Sequence, residues 1–295
     1  MNQLLLNFEQ GPAQGLTAAP FRAQLLKWVG NKQRFAHAII QEFPQGFGTY
    51  REPFLGSGAV LGTLAPQRAV GSDIFKPLIE IFQCLKTEPD ALKRWYAERW
   101  ERQAQLGKEG AYEQVKASYN AQANGADLLY LSRTCYGGVV RFRRDGFMST
   151  PCGPHKPMPP ASFNKRVDEW ARRVVGTTFK HMDYREAMAE AVPGDVVYCD
   201  PPYVHSQTIL YGAQRFRLEE LFAVIAECKA RGVHVVLSID GTKKSGNFLC
   251  DIPLPPNLFE REISVSLGGS MLKRFQMEGQ DMKDEAVADR LLTTF

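Results

Sequence analysis

Apolar positions along this chain recur with two periods. Phe35, Ala38, Ile39 and Phe43 fall at helical spacing and predict a helix running from after Lys32 to about Phe43. A short strand at Tyr50-Arg51-Glu52 then enters Pro53-Phe54-Leu55-Gly56-Ser57-Gly58, where another helix starts. Ala69-Val70-Gly71-Ser72-Asp73 reads as a second strand ending on an acid, and Pro77 sits near the first turn of a helix reaching about Leu85. Residues 86 to about 131 are helical in composition and charged, with Trp95, Tyr96, Trp100, Tyr112 and Tyr119 spread through them. The next stretch is broken by Gly137, Gly138, Gly146, Pro151, Gly153, Pro154, Pro157, Pro159 and Pro160, a density that predicts ordered loops rather than long regular elements. Periodicity then returns. Val196–Cys199 and Val233–Leu237 are buried-strand runs, Leu218, Leu221, Phe222 and Ile225 trace a helix face, and Ile263–Leu267 alternates as a late strand. Residues 1–20 have no clear period and read as a loose leader. Strands alternating with helices predict an α/β sheet, here split by an inserted module.

Composition narrows the classes. With 44% hydrophobic and 23% charged residues, the chain is a globular protein rather than a disordered or fibrous one. No apolar run approaches the roughly 20 residues of a membrane helix, and Asn7 and Glu9 soon break Leu4-Leu5-Leu6, so neither membrane insertion nor secretion is expected. The six cysteines are scattered without a Cys-x-x-Cys pair, which predicts reduced thiols rather than zinc or a disulfide framework. Charge changes the picture more. Arg133 through Lys180 holds ten Lys/Arg against three acids, which leaves +7 there and −3 elsewhere in a chain of net +4. One basic segment in an otherwise acidic protein is the footprint of a nucleic-acid surface.

Candidate chemistry centres on Asp200-Pro201-Pro202-Tyr203. The preceding apolar strand puts the Asp200 carboxylate at a strand's C-terminal end, where open α/β sheets bind ligands. Two prolines stiffen the backbone and remove N–H donors, and Tyr203 adds a ring. An acid, fixed carbonyls and a stacking surface suit a flat heterocycle bearing an exocyclic amino group, whose methylation they would assist. An Asp-Pro turn is the plainer alternative. Gly56-Ser57-Gly58 lets backbone approach a ligand, but lacks the third glycine of a dinucleotide fingerprint and the ending of a P-loop. Asp73, closing the next strand, is placed either to accept ribose hydroxyls or to cap the following helix. Lys27-Trp28-Val29-Gly30-Asn31-Lys32 alone reads rather as a solvated helix start with one buried Trp.

Taken in order, Lys27–Lys32, Glu52–Gly58 and Asp200–Tyr203 resemble the motifs of the DNA adenine-N6 methyltransferases of the α (D12) group. The resemblance runs from about Leu25 to near the C-terminus. It implies a Rossmann-like methyltransferase fold with a mixed seven-stranded sheet and an inserted, mostly helical recognition domain. The expected division is a cofactor-binding part over 1–85, target recognition over 86–178 and a second catalytic part over 179–295. S-adenosylmethionine is the implied cofactor, without a metal. Its implied pocket holds Trp28, Lys32, Phe54, Gly56, Ser57, Gly58, Asp73, Ile74, Asp183, Tyr184 and Asp200, with Asp200, Pro201, Pro202 and Tyr203 as the catalytic group.

Arg133-Thr134-Cys135-Tyr136-Gly137-Gly138-Val139-Val140-Arg141, then Gly146-Phe147 and Pro151-Cys152-Gly153, resembles the family's DNA-reading segment. Ser132 and Gly137 depart from it, standing where the pattern prefers Asn. The roles implied are a wedge for Tyr136, guanine reading for Arg141, and DNA contacts for Arg133 and Pro151, while Arg143 and Arg144 are either phosphate contacts or solvated surface. Lys165, Arg166, Arg172 and Arg173 are either phosphate contacts or solvated surface. Ser266–Ser270 with Lys273 and Arg274 resembles the family's late strand and basic loop. The expected partner is double-stranded DNA, with room for a cognate restriction endonuclease, and the protein is expected to be a bacterial or phage-encoded monomer or weak dimer, cytoplasmic and nucleoid-associated. Cytosine-N4, RNA-adenine or protein-amide methylation, and a silent DNA-binding scaffold, are the alternatives. Asp rather than Asn at 200 and the intact Gly56 and Gly58 weigh against them.

Overall fold

The computed structural model describes residues 16–143, 145–202, 216–243, 248–249, 252–269 and 286–295. Tyr203, Arg144, Ser270, Lys273 and Arg274 therefore lie outside the described residues. Among the described residues, eight strands form one sheet: β1 (Tyr50–Glu52), β2 (Ala69–Asp73), β3 (Thr177–His181), β4 (Val196–Cys199), β5 (His234–Lys243), β6 (Phe248–Leu249), β7 (Arg261–Gly269) and β8 (Ala286–Thr293). Seven of them run in the order β3-β2-β1-β4-β5-β8-β7, and the two-residue β6 pairs with β5 off that path. The first five are mutually parallel, while β8 is antiparallel to both β5 and β7, so the sheet is mixed.

The strand order decides where a ligand fits. From β1 the chain moves outward on one side through β2 to β3, then returns to place β4 on β1's other side. Connections leaving β1 and β4 diverge, opening a crevice beyond their C-terminal ends. At the opposite ends a buried ion pair holds the two strands: Arg51 Nε lies 2.8 Å from Asp195 Oδ2, and Asp195 Oδ1 accepts the Thr49 amide at 2.8 Å.

Nine helices accompany the strands among the described residues: α1 (Ala36–Gln41), α2 (Ala59–Leu64), α3 (Lys76–Thr87), α4 (Pro89–Glu101), α5 (Gln103–Ala121), α6 (Gly125–Thr134), α7 (Pro160–Arg173), α8 (Tyr184–Ala189) and α9 (Leu218–Ala230). The breaker-rich stretch expected to be loops thus contains a helix, α7. Pro159 occupies its N-cap and Pro160 its first turn, where a missing N–H costs nothing. Phe163, Val167 and Trp170 then form a buried stripe at helical spacing. β3 and α8 were also absent from the periodicity reading; β3 is a strand of five residues with only two buried, too short a pattern to stand out.

Helices α4 to α7 do not keep a core apart from the sheet. Their buried residues belong to one apolar cluster with α2, α3 and the strands. Phe82 of α3 lies between Phe179 of β3 and Trp170 of α7, with ring centroids 5.1 and 6.2 Å away. Residues 21–26 form a strap across the same region. The Trp170 indole donates to the Ala23 carbonyl at 2.6 Å, and Arg133 Nη1 donates to the carbonyls of Leu25 and Gln24 at 2.9 and 3.1 Å. Arg133 is therefore buried, with its guanidinium over the Phe163 ring, and does not reach a DNA surface. Its carbonyl partners explain why: a planar cation satisfies the strap's otherwise orphaned backbone oxygens. Arg166 and Arg173 are similarly engaged, with Gln24 and with Gly62 and the Phe21 ring.

Gly62 on α2 marks the closest point of this junction, because an added Cβ would run into the Trp170 ring. Gly62→Ala is expected to cost about 1–3 kcal/mol by overpacking, despite alanine's better helix propensity. Urea unfolding checks this, and unchanged or increased stability would contradict a fully packed α2–α7 contact.

Candidate active site

Two acids at neighbouring strand ends shape the loop between β1 and α2. Glu52 closes β1, and its Oε2 accepts the Tyr50 hydroxyl at 2.7 Å and the Leu61 amide at 3.0 Å across the loop. Asp73 closes β2, and its two oxygens accept the amides of Gly56 at 3.1 Å and Phe75 at 3.0 Å. The loop is thus held from both sides by carboxylates. Burial pushes both acids up, Glu52 to about 8 and Asp73 to about 6, although their hydrogen bonds pull the other way. Gly58 caps α2 in the left-handed region at φ 62°, and a Cβ there would come 3.1 Å from the Phe82 ring. It is a turn and packing residue that does not line the cavity, contrary to the role expected for it.

Lys32 reaches the end of β4 from the loop before α1. Its Nζ lies 3.0 Å from Asp200 Oδ1 and 3.2 Å from the Gly30 carbonyl, and its side chain is only 7% exposed. Beside this pair, Phe54 stacks on Tyr184 at 5.1 Å, with Phe216 edge-on to Phe54 at 5.8 Å. The Tyr184 hydroxyl is buried with no partner among the described residues. Asp183 accepts the Arg185 amide at the start of α8, and the Arg185 guanidinium grips the same carboxylate at 2.8 and 3.1 Å. These groups surround one cavity of about 760 Å³ at the crevice between β1 and β4. Every expected cofactor residue except Gly58 lines it, as do Pro201 and Pro202.

Sequence reasoning assigned no role to Glu52, Phe75, Phe216 or Arg185, all of which line this cavity too. Glu52 was findable, since it is an acid at a strand's C-terminal end like Asp73 and Asp200. Phe216 and Arg185 carry no comparable signal; they arrive through the packing of α8 and the approach to α9.

The remaining expected residues lie on a hairpin. Residues 135–143 and 145–152 fold back on each other with antiparallel bridges at Cys135–Cys152 and Phe142–Met148. Helix α5 anchors it from behind: Asn120 exchanges two hydrogen bonds with the Met148 backbone, at 2.7 and 3.2 Å, and the Tyr112 hydroxyl donates to the Thr150 carbonyl at 2.7 Å. Phe142 packs between Phe75 and Tyr119. With its back held this way, the hairpin leaves Tyr136, Arg141, Arg143, Phe147 and Pro151 exposed. Arg143 and Gly146, at the tip, also line the cavity mouth, which joins the hairpin to the site.

The family model for D12 class N6 adenine-specific DNA methyltransferases matches residues 28–262, most of the chain. The protein belongs to that family. A DNA adenine methylase of Vibrio cholerae is 30% identical over 229 residues, covering 72% of this chain and 79% of the relative. The DNA N-6-adenine-methyltransferase of Escherichia phage P1 is 26% identical, over 76% of this chain and 30% of its own length. The type II methyltransferase M1.LlaDCHI of Lactococcus lactis is 26% identical, over 72% of this chain and 79% of its own. Among solved structures, the rRNA methyltransferase aviRa of Streptomyces viridochromogenes overlaps 87% of this chain and 84% of that one, at 12% identity and a TM-score of 0.34. As a member of the D12 family, the chain is an S-adenosylmethionine-dependent enzyme that methylates adenine in DNA.

The buried acids make a signed prediction for the ligand-free methyltransferase. A carboxyl whose pKa rises on folding favours the protonated folded state, so its stabilising protonation is lost as pH rises through the folded value. For Glu52 the window runs from about 4.5 to about 8. The thermal midpoint should therefore fall from pH 5 to pH 8 in part through Glu52, and Glu52→Gln should flatten that slope. An identical slope in the variant would contradict the assignment.

Proposed function

We propose that the crevice between β1 and β4 is where an adenine extruded from duplex DNA meets the methyl donor. The observation that carries this reading is Asp200 at the end of β4, facing the cavity, paired with Lys32 and followed by two prolines. Adenine N6 is a poor nucleophile because its lone pair is delocalised into the ring. Asp200 and the Pro201 carbonyl would each accept one N6 hydrogen, favouring a pyramidal nitrogen with a localised lone pair. Positive charge then grows on nitrogen as the N–C bond forms, and the fixed carboxylate stabilises it more than it stabilises the ground state. Lys32 fixes the carboxylate's direction. Tyr203, next in the motif, would stack on the extruded ring.

The residues present fit S-adenosylmethionine. The cavity volume lies within the roughly 300–1,000 Å³ usual for small-molecule sites, and Phe54 and Tyr184 offer an aromatic shelf for its adenine. Asp73 and Asp183 supply acceptors for its hydroxyl and amino groups, Ile74 and Ser57 line the remaining wall, and the unpartnered Tyr184 hydroxyl gains a partner on binding. When bound, the cofactor supplies the methyl group.

The hairpin is proposed as the DNA-reading element, with Tyr136 as wedge, Arg141 on a base edge, and Arg143 and Pro151 against the backbone. Support comes from its exposure and from a tip that reaches the cavity mouth. The proposed setting is bacterial or phage-infected cytoplasm, as a monomer or weak dimer, since the similar methylases come from bacteria and phage.

Asp200→Ala should lower methyl transfer to duplex DNA by about 100-fold or more while DNA affinity stays within about threefold of wild type. Transfer of tritiated methyl groups and fluorescence anisotropy measure the two. Full activity in the variant would refute the role of Asp200.

A further inference from the structure

The hairpin's two strands meet at their base through a pair of cysteines. Cys135 and Cys152 are direct cross-strand partners. The bonds on either side, Tyr136 amide to Pro151 carbonyl and Gly153 amide to Thr134 carbonyl, are both 2.8 Å. Flanking bonds of this kind define the register in which the facing residues exchange no backbone bonds themselves, and in which side chains approach most closely, with Cα atoms about 4.5 Å apart. That separation lies within the roughly 4.4–6.8 Å that a disulfide spans. Both thiols are free, and their present partners are weak: Cys135 Sγ lies 3.7 Å from the Ser132 carbonyl and Cys152 Sγ 3.6 Å from the Gly153 carbonyl.

We propose that Cys135 and Cys152 form a reversible disulfide site that adjusts the DNA-reading hairpin. The oxidant class is a small disulfide such as glutathione disulfide. Cys152, half-exposed, attacks first: its thiolate sulfur bonds to one glutathione sulfur, the glutathione S–S bond breaks, and one glutathione thiolate leaves. The buried Cys135 thiolate then attacks the Cys152 sulfur, forming the protein bridge and expelling the second glutathione. Two electrons pass to the reagent, and the two thiol protons end on the two glutathiones. Burial pushes both thiols up, Cys135 to about 12, so the bridge forms slowly at neutral pH and faster in base.

The location gives the bridge a consequence. Tyr136 follows Cys135 directly and Pro151 precedes Cys152, so these two proposed DNA contacts sit on the cross-linked residues' own flanks. A Cα separation near the short limit means that the bridge spreads the ladder toward the commoner 5.5–6 Å. DNA affinity therefore falls on oxidation, while the cofactor cavity, which neither cysteine lines, is unaffected. This consequence rests on the hairpin being the DNA surface.

The test incubates the full chain in glutathione/glutathione disulfide buffers at pH 8.5 and maps cross-links by differential alkylation and mass spectrometry. DNA and S-adenosylmethionine affinities are measured before and after. The expected result is a dominant Cys135–Cys152 bridge reversed by dithiothreitol, DNA binding weakened about threefold or more, and unchanged cofactor binding. Cys152→Ser, at the less buried position, should remove both the bridge and the response. Thiols that stay reduced, a different dominant pairing, or a bridge that leaves DNA affinity unchanged would overturn the proposal. Mapping needs no DNA, so a clean bridge in a protein whose reduced form binds no DNA would fault the hairpin reading instead.

Discussion

The ion pair between Lys32 and Asp200 joins segments that only the sheet's strand order brings together. Lys32 belongs to a loop near the start of the described chain, and Asp200 follows a strand reached after four inserted helices. At 3.0 Å and largely out of solvent, the contact exists because β4 returns to pair with β1. Arg51 and Asp195 hold the same two strands at their far ends. One charged pair therefore fixes the strands, and the other sits in the crevice that their divergence opens.

Around that crevice the fold accepts a cost in buried charge. Glu52 and Asp73 are fully enclosed carboxyls whose burial works against their ionised forms, yet Asp73 holds the Gly56 amide of the loop between β1 and α2, and Glu52 holds the Leu61 amide in the first turn of α2. Hydrophobic side chains in the same places would pack as well but leave those amides unpaired. The acids keep the loop in shape. The helical insertion contributes from the other side. By sharing a core with α2 and α3 rather than standing apart, it delivers the hairpin tip to the cavity mouth.

Much of this was legible in the sequence, for identifiable reasons. Strand ends at Asp73 and Cys199 were marked by short, mostly apolar runs meeting acids, and ten of the eleven expected cofactor residues line the cavity. Gly58 was misplaced because a glycine in a loop looks the same whether it faces a ligand or the Phe82 ring. α7 was hidden by Pro159 and Pro160, which read as breakers but begin the helix. Arg133 looked like a DNA contact since charge counting cannot tell an outward arginine from one turned onto the carbonyls of Gln24 and Leu25. The anchoring of the hairpin by Asn120 and Tyr112 is tertiary and left no local trace.

Lys32 and Asp200 are proposed to act as one unit on the adenine to be methylated. A double-mutant cycle with Lys32→Met and Asp200→Asn, read as the rate of methyl transfer to duplex DNA, tests it directly. Strong coupling is expected, on the order of tenfold, so that the double variant is little slower than the slower single one. Losses that simply multiply would mean that the two residues contribute independently, and would contradict it.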